Sequence, residues 1–463
     1  MLELRRGRMN SASRPRRRPR ELVESAMADA SVRVFAMTSS PGLMIYGKSG
    51  ARTGQISQAL TEAAALLLAP QRVVPLIQKL VSDKLRVTFE QRHLYSYTTT
   101  KRASGATLSS LLHWILGAQR PNGGIAAYYS LLTGYAASYP EVTGYIVPTL
   151  YNFARAAKDK NALTAAERAT RWLLSLQMPS GAFPAGLHGG EAQASVFNTG
   201  QILQGLVRAF EQTNRLEIRE AAVAAGDWLI KMQQSNGSWS GPGAYQDAPH
   251  TYYSMVAWAL AELSQSTADH RYSLAAERNL DWVLSHFRPS GWIDGINLRG
   301  HPNYLHFIAY VLQGVLESAI LRRRCDAVKA VETSAWVLLR KFETNKYLPG
   351  AYGPDFKSTQ CFTCLTGNAQ MSCVWLRLFE VTGDVRYLNA ALKMNEMLKQ
   401  LIPARGGQGI AGGVSGSYPV WGRYQPLRYI SWGCKFFADA LLLEERLTRS
   451  FEPSASEALP CAS

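Results

Sequence analysis

His250-Thr-Tyr-Tyr253 gathers the side chains best suited to chemistry in this 463-residue chain. An imidazole beside phenols can take and return a proton at a carbon next to a carboxylate, provided amides neutralise the enolate that develops. Amides stand at comparable places as Asn198 with Gln201 and Asn368 with Gln370. Glu141 with Tyr145 adds a carboxyl able to act as acid or base, and His301 with His306 and Tyr429 with Trp432 follow. The reading assigns catalysis to His250, Tyr252, Tyr253 and Glu141. It assigns substrate contact to Tyr145, Asn198, Gln201, His301, His306, Asn368, Gln370, Tyr429 and Trp432.

Each assignment has a plainer rival. His250 would cap a helix with the Tyr pair in the core, Glu141 would be a first-turn carboxylate favoured by the helix dipole, and Asn198 and Asn368 would be N-caps. His306, five residues from His301 and so on another helical face, would be a satisfied core histidine. A glycosidase needs a second carboxylate near Glu141, for which Asp247 and Glu191 are candidates, with Asp294 and Asp355 weaker ones. Cys361-Phe-Thr-Cys364 has the spacing of a zinc half-site but no second pair follows, so no metal and no cofactor is expected. The glycine-rich run at 406–416 lacks the Lys-Ser/Thr of a phosphate loop and reads as a flexible loop at the mouth of a site.

A repeat positions these groups. Trp114, Trp172, Trp228, Trp282 and Trp336 recur at intervals of 58, 56, 54 and 54 residues. Gln119, Gln177 and Gln233 follow five positions after the first three, and Gly123, Gly181, Gly237 and Gly291 nine positions after the first four. An aromatic follows in four copies (Phe183, Trp239, Trp292, Tyr347), and the sixth copy is degenerate, with Met394 in place of Trp. A second helix starts in each copy near Thr143, Asn198, Thr251, Asn303, Gly367 and Tyr429. Ile202, Leu203, Leu206, Val207 and Phe210 give one such helix a wide apolar face. Six helix pairs cannot bury those faces alone, so they stack, and six can close a ring. The expected fold is all-α, an (α/α)6 toroid of six helical hairpins. Gln and Gly end the first helix of each pair and read as structural cement. Long connections such as 181–198 and 237–250 lie before the second helices, so the site is expected where those helices begin.

The repeat resembles the prenyltransferase and squalene-oxidase type found in terpenoid cyclases and related toroids, over about residues 107–445. The strings Tyr139-Pro-Glu-Val-Thr-Gly-Tyr145, Cys364-Leu-Thr-Gly-Asn-Ala-Gln-Met371 and Lys435-Phe-Phe-Ala-Asp-Ala-Leu441 resemble toroid proteins of bacterial polysaccharide-biosynthesis clusters. The resemblance implies the fold and a polysaccharide context; by analogy with other α/α toroids it implies uronate epimerase or lyase chemistry. The Asp-x-Asp-Asp acid of class II cyclases and the Asp-x-Cys pair of protein prenyltransferases are both absent, which argues against isoprenoid chemistry.

Charge and composition bound the rest. The net charge is +16, and eight Arg against one Glu fall within residues 1–20, leaving 42 basic and 33 acidic residues in the remainder. That excess suits an anionic substrate. No basic-aromatic interleaving supports nucleic-acid binding. The expected organisation is a disordered basic tail at 1–40, able to touch an anionic membrane surface, a helical extension at 41–106, the toroid at 107–447 and a flexible tail at 448–463. Helices are expected at 60–68 and 73–81. No signal peptide is evident, and six cysteines without framework spacing fit a cytoplasmic protein. The expected activity is that of a carbohydrate-active enzyme of polysaccharide biosynthesis acting on an anionic glycan by proton transfer. Its rivals are a glycosidase with paired carboxylates, a non-catalytic glycan-binding or scaffolding toroid, and an isoprenoid cyclase.

Overall fold

The computed structural model describes residues 72–89, 102–296, 298–358 and 360–449. The expected helix at 60–68, both terminal tails up to residue 71 and from 450, and most of the link between extension and toroid lie outside them. After α1 (Val73–Phe89), six outer helices alternate with six inner ones. The outer set is α2 (Ser104–Ala118), α4 (Lys160–Leu174), α6 (Leu216–Met232), α8 (His270–Leu284), α10 (Cys325–Asn345) and α12 (Val385–Leu401). The inner set is α3 (Pro140–Ala157), α5 (Val196–Thr213), α7 (Ser254–Thr267), α9 (Leu305–Arg322), α11 (Leu365–Thr382) and α13 (Ser431–Arg449).

The inner helices pack side by side in sequence, and α13 returns to α3, so the ring is closed. Glycines permit the close approach: a Cβ on Gly205 would lie 2.3 Å from the carbonyl oxygen of Gly144 on the neighbouring helix. The inner helix α9 is apolar enough to cross a membrane by length and composition, but 83% of it is buried inside the toroid.

The tight hairpins are the returns, as the long connections before the second helices imply. Each inner helix is joined to the following outer helix by two residues, the first in the left-handed region: Lys158, Asn214, Ala268, Arg323 and Gly383. Asp159, Asp269 and Asp384 then cap α4, α8 and α12. The last inner helix, α13, pairs with the first outer helix, α2. All long connections therefore gather at the end of the ring where inner helices begin. There they are stitched together by short antiparallel strands, β1 (Tyr128–Ser130) with β2 (Gly134–Tyr135) and β7 (Arg428–Ile430), β3 (Asn303–Tyr304) with β4 (Ala351–Tyr352), and β5 (Thr363–Cys364) with β6 (Ser417–Tyr418).

The Gln–Gly signature is cement. The amide nitrogens of Gln119, Gln177 and Gln233 each donate to the carbonyl of their own turn glycine (2.9, 3.0 and 3.1 Å) and to the next outer helix at Ala165, Ala221 and Ala275 (2.9, 2.8 and 2.8 Å). The glycine-rich run is part of this framework, since the Trp114 indole donates to Gly409 O at 2.8 Å. Cys361, Cys364, Cys373 and Cys434 are free thiols, whereas Cys325 is disulfide-bonded.

Candidate functional site

The inner helices are buried over most of their surface, so a polar residue inside the ring needs a partner or a cavity. Five of them carry a pair of polar or aromatic residues four apart, hence on one face: Gln204 and Arg208, Trp258 and Glu262, Gln313 and Glu317, Cys373 and Arg377, Lys435 and Asp439. These stripes line a cavity of about 700 Å³ along the ring axis. It runs from a floor at Tyr145 and Lys435 to a rim at Arg155, Glu211, Arg446 and Arg449. It thus opens at the end with the two-residue turns, opposite the long connections.

Glu262 on α7 is the distinctive group. Burial pushes its carboxyl up to about 8; Arg208 pulls it down, while the Glu211 and Glu317 carboxylates raise it further. At neutral pH it is therefore a carboxylic acid holding a proton. Its flanking carboxylates come from the adjacent helices. Glu317 is clamped by Arg377 through two bonds of 2.8 Å, and Glu211 pairs with Arg208 at 3.0 Å. At the floor Lys435 pairs with Asp439 (2.8 Å) and lies 5.5 Å from the Tyr145 ring centre. Burial raises the Tyr145 phenol well above its ordinary range. The Cys373 thiol is also raised by burial, so it remains a thiol. Gln204 Nε2, Arg208 Nε and Gln313 Oε1 are buried without hydrogen-bond partners among the described residues. Such atoms await polar partners from a ligand or from water.

Of the residues singled out in the sequence, Tyr145 reaches this cavity. Most of the others also approach the ring axis, but within a packed layer between the cavity floor and the long connections. His250 is 3% exposed, and its Nε2 lies 2.9 Å from Tyr245 O. Its ring stacks on Tyr252 at 5.1 Å, and burial lowers its pKa. Tyr253 is buried, and its hydroxyl accepts from Tyr245 N. Glu141 is buried, accepts from the Tyr139 hydroxyl at 2.6 Å, and is pushed by burial up to about 7. His306 bonds Gln370 Oε1 at 2.6 Å, and burial drives it down to about 3, so it is neutral. Gln201 is fully buried with both amide atoms unpartnered among the described residues.

The capping readings need correction. Ser195 and Cys364, not Asn198 and Asn368, accept the first-turn backbone N–H groups. The two asparagines instead donate to Pro184 O and Cys364 O. Trp432 donates to the Tyr424 hydroxyl at 2.8 Å. Tyr429 lies in β7 opposite Tyr129, within the stitching at the seam. His301 sits in the connection before β3, half-buried, with burial lowering its pKa. Asp247 and Glu191 are exposed on connections, while Asp294 pairs with Arg288 and Asp355 accepts from Ser290, so none of them faces Glu141 across a cavity. Cys361 is exposed and Cys364 buried, and no cluster able to hold a metal occurs among the described residues.

The three strings behind the family resemblance do converge. Tyr145 and Phe436 rings lie 5.8 Å apart, Lys435 lies over Tyr145, and Gln370 bonds His306, whose ring is 6.2 Å from Phe436.

Residues 83–314 match the family described as squalene-hopene cyclase C-terminal domain. No curated protein matches the sequence. Among solved structures, cellobiose 2-epimerase from Spirochaeta thermophila aligns with a TM-score of 0.61 at 16% identity, over 75% of this chain and 96% of that one. An unsaturated glucuronyl hydrolase specific for heparin aligns with a TM-score of 0.60 at 14% identity, over 75% and 96%. A D-mannose isomerase aligns with a TM-score of 0.58 at 13% identity, over 74% and 97%. At such identities the likeness establishes the α/α toroid, and these neighbours are carbohydrate-processing toroids.

Proposed function

The chain belongs to the squalene-hopene cyclase C-terminal domain family, and on that scaffold we propose that its axial cavity is the active site of a carbohydrate-active enzyme working by carboxyl acid–base chemistry. The observation that carries this reading is the convergence of Glu211, Glu262 and Glu317, from three adjacent inner helices, on a cavity of about 700 Å³; burial of the Glu262 carboxyl, which favours its acid form, agrees with it. Paired carboxyl groups with separated proton affinities are the apparatus of glycosidic bond cleavage. Glu262 gives its proton to the bridging oxygen as the bond to the anomeric carbon breaks. Glu211 takes a proton from the water that adds to that carbon. Glu317, held by Arg377, supplies a fixed negative charge beside the developing positive one.

The surroundings suit a sugar. Trp258 offers an apolar face to ring C–H groups, and the unpartnered amides of Gln204 and Gln313 suit hydroxyls. At the rim Arg155 makes no ion pair among the described residues and suits a carboxylate or phosphate on the substrate, while Arg208, Arg377, Arg446 and Arg449 are paired with Glu211, Glu317, Glu380 and Glu445. The same charges disfavour an isoprenoid, which would want an apolar chamber. A biosynthetic role in polysaccharide assembly agrees with the family resemblance of the floor strings.

A second reading keeps proton transfer at a carbon next to a carboxylate, but moves it from His250 to Tyr145. Its support is the Tyr145 hydroxyl at the cavity floor, kept protonated by burial and so able to return a proton. Product analysis separates the two: cleavage adds water, whereas epimerisation exchanges solvent deuterium into the sugar without cleavage.

The test is turnover of an oligosaccharide panel containing uronates by wild type and Glu262→Gln. The variant should lose about 100-fold or more in kcat. Wild-type activity should fall as pH rises past about 8, where the acid loses its proton. Undiminished turnover in the variant, with no alkaline limb tied to Glu262, would overturn the assignment.

A further inference from the structure

The rim of the cavity is breached on one side. Arg155, near the end of α3, lines the central cavity and also a neighbouring groove of about 450 Å³. The groove is cut between the α3–α4 turn and the end of α5, with Lys158, Lys160 and Leu163 on its wall and Gln212 and Thr213 opposite. Arg155, Lys158 and Lys160 make no ion pair among the described residues. Of the two acids in the groove, Asp159 is committed to the backbone, accepting from Ala162 N at 2.9 Å to cap α4, and Glu167 stands one turn beyond Leu163. Leu163 is 41% exposed, an apolar surface beside three free cations.

Cations alternating with apolar surface match a chain of acidic sugars, which presents carboxylates on ring edges and C–H groups on ring faces. A ligand confined to the axial cavity would leave this cationic wall without a role. We propose that the groove extends the binding path, so that the substrate is an acidic oligo- or polysaccharide that leaves the cavity over Arg155 and lies along Lys158, Lys160 and Leu163. This rests on the axial cavity being a glycan site, and it makes chain length, not the reacting sugar alone, a determinant of recognition. The contribution of the groove is electrostatic and exposed, so it weakens with salt.

The test measures binding by fluorescence anisotropy, using labelled oligogalacturonates, alginate oligomers and hyaluronan oligomers of two to ten sugars, with neutral cello-oligosaccharides as a control. Wild type should bind longer acidic oligomers more tightly than dimers, with no such gain in the neutral series. The double variant Lys158→Glu, Lys160→Glu should lose about tenfold in affinity for the long acidic oligomers. Its dimer affinity should stay unchanged. Leu163→Ser should weaken the long oligomers alone, a response that charge reversal by itself does not explain. Dimer binding without a length gain in wild type would overturn the groove and leave the cavity reading intact. Loss of dimer and long-oligomer binding alike in the double variant would overturn the groove assignment as well. Failure of wild type to bind any acidic or neutral sugar would overturn the cavity reading and the groove with it.

Discussion

Two glutamates show how burial can give one side-chain type different roles. Glu262 looks into a cavity, and its retained proton is available to a ligand. Glu141 is buried against Tyr139 and does not line the axial cavity. Its burial therefore becomes a stability effect. The folded chain holds a proton up to about pH 7 that the unfolded chain releases near 4.5. The associated stability is complete below that lower value, is lost as pH rises toward 7, and is level above it. Glu141→Gln should thus gain on wild type between pH 4.5 and 8 by about 3 kcal/mol. Chemical denaturation at the two pH values checks this, and an equal difference at both would contradict it. The sequence made Glu141 conspicuous because it opens a helix beside Tyr145. It gave no means of separating a sealed carboxyl from an open one, since that depends on which end of the ring the connections cover.

At the scale of elements, the repeat was legible because Trp, Gln and Gly each have a task that no other residue does as well. Gly181 has φ of +91°, and a Cβ there would lie 2.3 Å from Ala224 O. Gly181→Ala should therefore cost about 2–4 kcal/mol, more than Gln177→Ala at about 1–2 kcal/mol, in denaturant melts. A smaller loss for the glycine variant would mean that the turn relaxes. The two-residue hairpins were not legible, because the left-handed position is filled by Lys158, Asn214, Ala268, Arg323 and Gly383, five residue types of which one is glycine. The cavity has a signal in the sequence. Polar or aromatic residues four apart on largely apolar helices, such as Gln313 with Glu317 and Trp258 with Glu262, mark the face that lines it. Polar and aromatic residues are denser still at the starts of the inner helices. In the structure that density serves packing, as where Phe197, Tyr252, Phe307 and Tyr310 contact one another edge-on or stacked.

At the scale of the whole molecule, ring closure decides where a site can be. A buried charge network fastens the seam. Lys399 of α12 donates to Ser104 of α2 at 2.6 Å and to Glu396 at 2.8 Å, and Asn395 donates to Glu444 of α13 at 2.7 Å. With the ring shut, α1 adds to one end, where buried Asp83 accepts from Val420 N at 2.9 Å. The connections and their strands cover that end, and among the described residues the other end carries only the two-residue turns. Among the described residues the axial cavity meets solvent at that second end, so the proposed site opens at the end with the short turns. Crystals soaked with an acidic disaccharide test this most directly. The account predicts ligand density between Trp258, Glu262 and Arg377. Density beside His250, Tyr252 and the long connections, with the axial cavity empty, would contradict it.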